Sequence, residues 1–95
     1  MSVTRVLRIA GRVQGVGYRD ALRETALAHG LSGWVRNRRD GSVEALLQGG
    51  EAAVDAVIAW ARRGPPAARV AGIEVLAAAG EFDKPHSGFE HWPTA

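Results

Sequence analysis

The stretch from Gly11 to Arg19, which reads Gly-Arg-Val-Gln-Gly-Val-Gly-Tyr-Arg, constrains the fold more than any other part of the chain. Its glycines lack Cβ atoms, so several consecutive N–H groups can point into one concavity. The helix predicted to begin at Arg19 adds its own unpaired N–H groups and the positive end of its dipole. Arg19 places a planar, permanently charged guanidinium at the edge of this concavity, where it can donate two hydrogen bonds to two oxygens of a phosphate. A strand, a glycine-rich turn and a helix N-terminus in this order predict a site for a phosphate dianion.

The same stretch is compatible with a tight turn in which the glycines serve geometry alone and Arg19 is solvated. The nucleotide-binding motifs do not fit it. The sequence has no G-x-x-x-x-G-K-[ST], and residues 15–20 lack the third glycine of the dinucleotide fingerprint. The loop is therefore expected to bind a small phosphate rather than a nucleotide.

Length and charge limit the possible classes of protein. A chain of 95 residues predicts one domain, 1–95, with a core of its own. The formal net charge is only +2, and the dispersed basic residues give little support to a nucleic-acid surface. Cysteine is absent, which excludes disulfides and thiolate metal sites. With neither a signal-peptide pattern nor an apolar run of about 20 residues, a cytoplasmic protein without membrane or nucleic-acid partners is expected. A monomer is expected because the domain is small and has no obvious exposed apolar stripe.

The order of the predicted elements indicates the fold. Apolar periodicity predicts strands at 3–10, 32–37, 42–48 and 69–78, helices at 19–29 and 51–63, and one short strand near Phe89. Asp40-Gly41 predicts a hairpin, Gly49-Gly50 is expected to end the third strand, and Gly64-Pro65-Pro66 to stop the second helix. This βαββαβ order is typical of an α+β, ferredoxin-like sandwich. We expect an antiparallel sheet of four to five strands with both helices on one face.

Asn37 is the second candidate site residue, because it closes the second strand beside the hairpin. In this topology the first turn and the end of a neighbouring strand meet at one edge of the sheet, so Asn37 is predicted to face Arg19. An amide both accepts and donates hydrogen bonds, so it can hold a water molecule and contact a phosphoryl oxygen. The alternative is that Asn37 only shapes the turn.

Two segments of the chain resemble the two signatures of the acylphosphatase family. They are Gly11-x-Val13-Gln14-Gly15-Val16-x-Tyr18-Arg19 and Gly33-Trp34-Val35-Arg36-Asn37-x3-Gly41-x-Val43-x5-Gly49. The likeness continues through Val54, Trp60, Gly64-Pro65 and Val70, up to about residue 78, and thins in the tail. The ferredoxin-like fold of that family agrees with the element order.

The resemblance implies hydrolysis of an acyl phosphate to a carboxylate and inorganic phosphate, with neither metal nor cofactor. The family's phosphate-binding arginine falls on Arg19 and its water-orienting asparagine on Asn37. Its phosphate loop corresponds to the backbone of Arg12, Val13, Gln14, Gly15, Val16, Gly17 and Tyr18. Position 17 is variable in that motif, where glycine is expected to make the loop more flexible, and Tyr18 stands where phenylalanine is frequent.

The chemistry of the leaving group fits these residues. A carboxylate leaves without a general acid because its conjugate acid has a pKa of about 4. The two motifs contain no obvious nucleophile, which favours direct attack by water over a phospho-enzyme.

Other functions and other residues are weaker candidates. The main alternative function is a non-catalytic phosphate-binding module on the same fold. An RNA-recognition motif is disfavoured because the third strand lacks aromatic residues, and a domain of a larger carbamoyl-transfer protein is disfavoured by the chain end at residue 95. Asp20 is expected to favour the first helical turn, the scattered histidines predict no metal site, and Trp34 and Trp60 are expected in the core. Arg36, Arg38 and Arg39 are expected on a solvated hairpin.

Overall fold

Two helices pack against one face of a five-stranded sheet in the computed structural model, which describes residues 2–95 with the Glu81 side chain excepted. Met1, the first residue of the predicted domain, lies outside the described residues. In chain order the elements are β1 (Ser2–Arg12), α1 (Tyr18–Ala28), β2 (Ser32–Asn37), β3 (Val43–Gly50), α2 (Glu51–Arg63), β4 (Arg69–Ala77) and β5 (Phe89–His91), with a 3₁₀ helix at Gly80–Phe82.

The strand order in the sheet is β4-β1-β3-β2-β5, and the first four strands are antiparallel neighbours. This arrangement confirms the predicted ferredoxin-like sandwich. The short strand expected near Phe89 is β5, which pairs in parallel with β2, so that Gly33 lies opposite Phe89. The antiparallel prediction holds for the four main strands, and β5 makes the complete sheet mixed.

Local signals placed several element boundaries correctly. The bounds of β2 and α2 are the predicted ones, and Gly30 has the positive φ of 72° expected after α1. Helix α1 begins one residue before the predicted start, at Tyr18. The prediction that Gly49-Gly50 breaks the third strand after residue 48 is wrong, because β3 continues to Gly50. Both glycines stay in β3 because they pair with Val3 and Ser2 of β1.

The hairpin between β2 and β3 is confirmed, with a wider loop than a two-residue turn. Arg38 N donates to Ser42 O at 2.8 Å and Gly41 N donates to Arg38 O at 3.1 Å. Gly41 has a φ of 94°, whereas Asp40 remains at negative φ. The Asp40 carboxylate accepts bonds from the N–H and hydroxyl of Ser42, and these bonds lower the pKa of Asp40.

The main core lies between the sheet and the helices. Helix α2 contributes its predicted apolar stripe through Val54, Val57 and Ala61, and α1 contributes Leu22 and Ala26. The sheet contributes buried side chains from its three inner strands and β5, which are Leu7, Ile9, Val35, Val43, Ala45, Leu47 and Phe89. This packing brings the N-terminus of α1 to the edge of the sheet where β1 and the hairpin meet.

A smaller cluster covers the opposite face of the sheet. Val6, Trp34 and Leu46 are buried there, under side chains from the tail. Trp92 stacks on Trp34 with ring centroids 4.2 Å apart and planes 10° apart, and Phe82 packs against both rings. Trp34 is therefore a core residue, as predicted, and the tail is anchored to the sheet through its aromatic residues.

The same outer face carries a buried carboxylate surrounded by arginines. The side chain of Glu44 is 3% exposed and lies 2.7 Å from Arg36 Nη2, 3.2 Å from Arg38 Nη1 and 3.6 Å from Arg8 Nε. The expectation that Arg36 and Arg38 are solvated is thus wrong, because Arg36 lies opposite Glu44 in the β2–β3 pairing and Arg38, just after β2, binds the same carboxylate. Arg39 remains exposed.

Candidate active site

The loop between β1 and α1 turns on two glycines. Gly15 has a φ of 73° and Gly17 a φ of 77°, in the left-handed region that residues with a Cβ adopt at a cost. Gly17 is also the N-cap of α1, so the entry into the helix uses this conformation. Glycine therefore has a specific geometric role at position 17, which the family motif leaves variable.

A run of N–H groups in this loop is unpaired. In the part of the chain that the structure describes, none of the N–H groups from Gln14 to Asp20 donates a hydrogen bond to a protein acceptor. The first bond of α1 runs from Ala21 N to Gly17 O at 3.1 Å, as expected for a helix whose first donors are free. Unpaired N–H groups at the positive end of a helix dipole are suited to an anion.

A cavity of about 180 Å³ lies at the N-terminus of α1. Its lining consists of Val13, Gly15, Gly17, Tyr18, Arg19 and Asp20. Predicted loop residues and the predicted arginine thus share one concavity. Three other predicted loop residues, Arg12, Gln14 and Val16, do not line it. Arg12 is exposed at the end of β1, and Val16 packs against the main core.

Arg19 supplies a guanidinium to this cavity. Its side chain is half-buried, and within residues 2–95 it lies within 4 Å of no described carboxylate. The neighbouring Asp20 carboxylate lies 3.2 Å from His91 Nε2 on β5 instead. Because no ion pair neutralises it there, the Arg19 guanidinium is available to an anion in the cavity.

Asn37 lies at the end of β2, opposite Val43 of β3, and does not line the cavity. Its Oδ1 atom is buried and has no hydrogen-bond partner in the described part of the chain. An acceptor in this state costs about 1–3 kcal/mol, so it calls for a functional explanation. Its backbone carbonyl is satisfied, because Asn37 O accepts a bond from Ala95 N at 3.1 Å.

The side chain of Gln14 connects the loop to the hairpin. Its Nε2 atom donates to Arg38 O at 2.7 Å and to Ser42 O at 2.8 Å. Arg38 follows Asn37 directly, so this contact brings the loop next to the end of β2. The sequence analysis predicted a role only for the backbone of Gln14. The contacts of its side chain could not be predicted, because both acceptors are backbone carbonyl groups, which every residue type has.

The side chain of Tyr18 packs against α2. Its ring is 1% exposed and packs against Trp60, and its hydroxyl donates to Ala61 O at 2.8 Å. Burial raises the pKa of the Tyr18 phenol above its usual range, so the group stays neutral. Tyr18 thus lines the cavity and anchors the loop to α2.

The described residues contain no group of three or more histidine or acidic side chains arranged to hold a metal ion. None of the described helices has the length and apolarity needed to cross a membrane.

Comparison with known proteins identifies the family. The family model described as acylphosphatase matches residues 5–91. An acylphosphatase of Acidovorax sp. (strain JS42) is 58% identical over 77 residues, which are 81% of this chain and 79% of the relative. Acylphosphatase 1 of Ralstonia nicotianae is 50% identical over 92 residues, 97% of this chain and 89% of the relative. The crystal structure of acylphosphatase from Bacillus subtilis has a TM-score of 0.86 at 34% identity, over 97% of this chain and 99% of that one.

The chain therefore belongs to the acylphosphatase family. The curated relatives, which match it over most of their own length, support acylphosphatase activity and hence a hydrolase. The solved relative has the same ferredoxin-like fold.

Proposed function

We propose that this acylphosphatase holds the phosphoryl group of its substrate with Arg19 and the 12–18 loop, and that Asn37 orients the attacking water. The substrate is an acyl phosphate, and its carboxyl–phosphate bond is the one hydrolysed. The observation that carries the proposal is the run of N–H groups from Gln14 to Asp20, unpaired within the described chain, beside an Arg19 that has no carboxylate partner there.

The proposed reaction is a direct displacement at phosphorus. The oxygen of the water forms a bond to phosphorus, the bond from phosphorus to the carboxyl oxygen breaks, and the electron pair leaves with the carboxylate. The proton released by the water goes to phosphate or solvent. Because the carboxylic acid has a pKa of about 4, the leaving group needs no general acid.

Catalysis of this reaction depends on positioning and on stabilising charge. The transition state of phosphoryl transfer is loose and spreads negative charge over the phosphoryl oxygens. The Arg19 fork and the loop N–H groups can bind those oxygens without reorganisation. The unpartnered Oδ1 of Asn37 can accept a hydrogen bond from the water, which turns a lone pair of the water towards phosphorus.

The test is phosphate release from benzoyl phosphate in the presence of EDTA. We expect the wild-type chain to be active without added metal, and Asn37→Ala to lose on the order of 10²–10³ in kcat. The inhibition constant of inorganic phosphate is expected to stay unchanged in Asn37→Ala and to rise strongly in Arg19→Gln. Arg39→Gln is the matched control, because it removes one exposed arginine of the nearby hairpin and is expected to change neither value.

Three results would contradict the proposal. If the wild-type chain binds phosphate but releases none from the substrate, the non-catalytic phosphate-binding module is the better hypothesis. If Asn37→Ala loses stability but not kcat, Asn37 shapes the turn only. Trapping of a covalent phosphoprotein during turnover would overturn direct attack by water.

The same proposal covers the domain organisation, the partners, the oligomeric state and the cellular location of the chain. We take residues 1–95 as a single domain, because one core cluster includes side chains from every strand of the sheet and from both helices. The partner is a small acyl phosphate rather than a nucleic acid or a membrane. We further propose a cytoplasmic monomer, which size-exclusion chromatography with light scattering and cell fractionation would test.

A further inference from the structure

We propose that Gln14 is a positioning residue that sets the distance between the bound phosphoryl group and the water oriented by Asn37. This inference rests on the proposed function, because it assigns the two parts of the reacting system to the loop and to β2. It concerns the Gln14 side chain, whereas the family resemblance concerns the backbone of the loop.

The bonds of Gln14 enclose the end of β2. Its two Nε2 protons go to Arg38 O at 2.7 Å and to Ser42 O at 2.8 Å. Arg38 follows Asn37, and Ser42 precedes Val43, the residue paired with Asn37 across the two strands. Gln14 therefore binds both sides of the hairpin immediately beyond the Asn37–Val43 pair.

The loop has few other connections to this hairpin. Strand β1 pairs with β3 only as far as Ile9, and beyond that point, from Ala10 to Arg12, it pairs with β4 alone. Within residues 2–95, the bonds of Gln14 are the side-chain hydrogen bonds that join the loop to the hairpin. At its other end the loop is tied to α2 by Tyr18, whose hydroxyl donates to Ala61 O.

This geometry predicts a specific effect on catalysis. Water and phosphorus must approach to about 3–3.5 Å in line, and a displacement of about 1 Å can cost on the order of 10²-fold in rate. Phosphate binds to the loop and Arg19, so its affinity does not depend on the hairpin. The water depends on Asn37, so loosening the loop from β2 changes their separation. Removing the Gln14 bonds is therefore expected to lower kcat and to spare phosphate affinity.

Gln48 provides a matched control on the same sheet. Its Nε2 also donates two bonds, to Thr4 Oγ1 at 3.0 Å and to Lys84 O at 2.8 Å. It lies five residues beyond Val43 on β3, roughly 17 Å from the hairpin end. Gln14→Met removes two hydrogen bonds, and Gln48→Met removes two donated bonds and those that Gln48 Oε1 accepts from His86 N at 2.7 Å and Ser32 Oγ at 3.5 Å. Neither substitution changes the side-chain volume much, so the control loses at least as many bonds as Gln14→Met, but only Gln14→Met disturbs the site.

The experiment measures kcat with benzoyl phosphate and the inhibition constant of inorganic phosphate in both variants. We expect Gln14→Met to lose about 10- to 100-fold in kcat with phosphate inhibition unchanged, and Gln48→Met to keep both values. A normal kcat in Gln14→Met, or an equal loss in Gln48→Met, would overturn the inference. Parallel changes of kcat and phosphate inhibition would also overturn it, because Gln14 would then belong to the phosphate-binding group.

Gln14→Glu gives a second test in a side chain of the same shape. Its ionised carboxylate has no proton to donate to the two carbonyl groups, whereas the protonated form regains one donor. The ratio of wild-type to variant kcat is expected to fall as the pH is lowered, and a ratio independent of pH contradicts the proposal. If wild type is inactive or Asn37→Ala is normal, the proposed function itself fails. If those two results hold and both Gln14 variants behave like wild type, only the present inference fails.

Discussion

Replacing Tyr18 by phenylalanine is expected to weaken the attachment of the phosphate loop to α2. The substitution removes one hydroxyl and keeps the ring that packs against Trp60. That hydroxyl donates to Ala61 O in the last turn of α2. The residue four positions after Ala61 is Pro65, which has no N–H to offer, so the tyrosine supplies the bond that the helix cannot make.

The expected cost follows from these contacts. A typical hydrogen bond contributes about 0.5–1.5 kcal/mol, and a buried acceptor left without a partner costs about 1–3 kcal/mol. We expect Tyr18→Phe to lower the free energy of unfolding by about 2 kcal/mol. For a domain of this size such a loss corresponds to a Tm lower by roughly 8–16 °C.

Urea denaturation followed by tryptophan fluorescence measures this difference, with an unchanged m-value expected. Thr25→Val is the matched control, because the Thr25 hydroxyl also donates at 2.8 Å, but to a carbonyl, Ala21 O, that takes part in the hydrogen bonds of α1. That control is expected to lose less than about 0.5 kcal/mol, the range of a surface substitution. Equal stabilities of Tyr18→Phe and wild type would refute the assignment of Tyr18 as the partner of Ala61.

The same tyrosine gives stability a dependence on alkaline pH. Burial raises the pKa of Tyr18 above the value of about 10 of an exposed phenol. Above that pH the unfolded chain loses this proton and the folded chain keeps it, so the contribution of Tyr18 to stability falls as pH rises. The advantage of wild type over Tyr18→Phe should therefore shrink above about pH 10. Because the chain has one tyrosine, tyrosinate absorbance follows this group directly, and ionisation at the ordinary pKa in the folded protein would contradict the argument.

Two further predictions concern the outer face of the sheet. Glu44→Gln keeps the side-chain volume but leaves three arginines without their carboxylate. We expect the free energy of unfolding, measured by urea denaturation, to fall by about 2–3 kcal/mol. This is less than the ~3–5 kcal/mol of fully buried pairs, because the arginines are partly exposed. An unchanged stability would show that the cluster contributes nothing. Trp92→Ala removes the stack on Trp34 and is expected to lower the free energy of unfolding by about 2 kcal/mol, since the ring is only half-buried. Thermal denaturation measures it, and a Tm equal to that of wild type would contradict the proposed anchoring of the tail.

The sequence predicted those elements whose signals are local. The bounds of α2 follow from its apolar stripe and the Gly64-Pro65-Pro66 stop, and β2 ends where the Asp40-Gly41 turn requires. The continuation of β3 through Gly49-Gly50 depends on pairing with β1, a partner more than 40 residues away, and no local propensity records it. The packing of Trp92 on Trp34 is equally distant in the chain.

The candidate site divides in the same way. Arg19 was predicted from a glycine-rich turn before a helix, and the structure gives it a cavity and no ion pair among the described residues. The contacts of Gln14 and Tyr18 could not be predicted, because their acceptors are backbone carbonyls that any residue type carries. Glu44 was hidden for another reason. A single carboxylate in a strand of alternating pattern indicates a face exposed to solvent. The burial of Glu44 follows only from the pairing of β3 with β1 and β2, which places Arg8 and Arg36 opposite it.

The distribution of charge explains how a nearly neutral chain can attract a dianion. Its net charge of +2 is too small to create a strong general field, so the attraction has to be local. Glu44 compensates the arginines of the outer face, and the Asp20 carboxylate is directed to His91 on β5. In residues 2–95, these pairings leave Arg19 as a cavity-lining guanidinium with no counter-ion, beside unpaired N–H groups. Under the proposed function, the substrate phosphate takes at Arg19 the place that the Glu44 carboxylate occupies in the arginine cluster of the outer face, and its release after hydrolysis restores the open site.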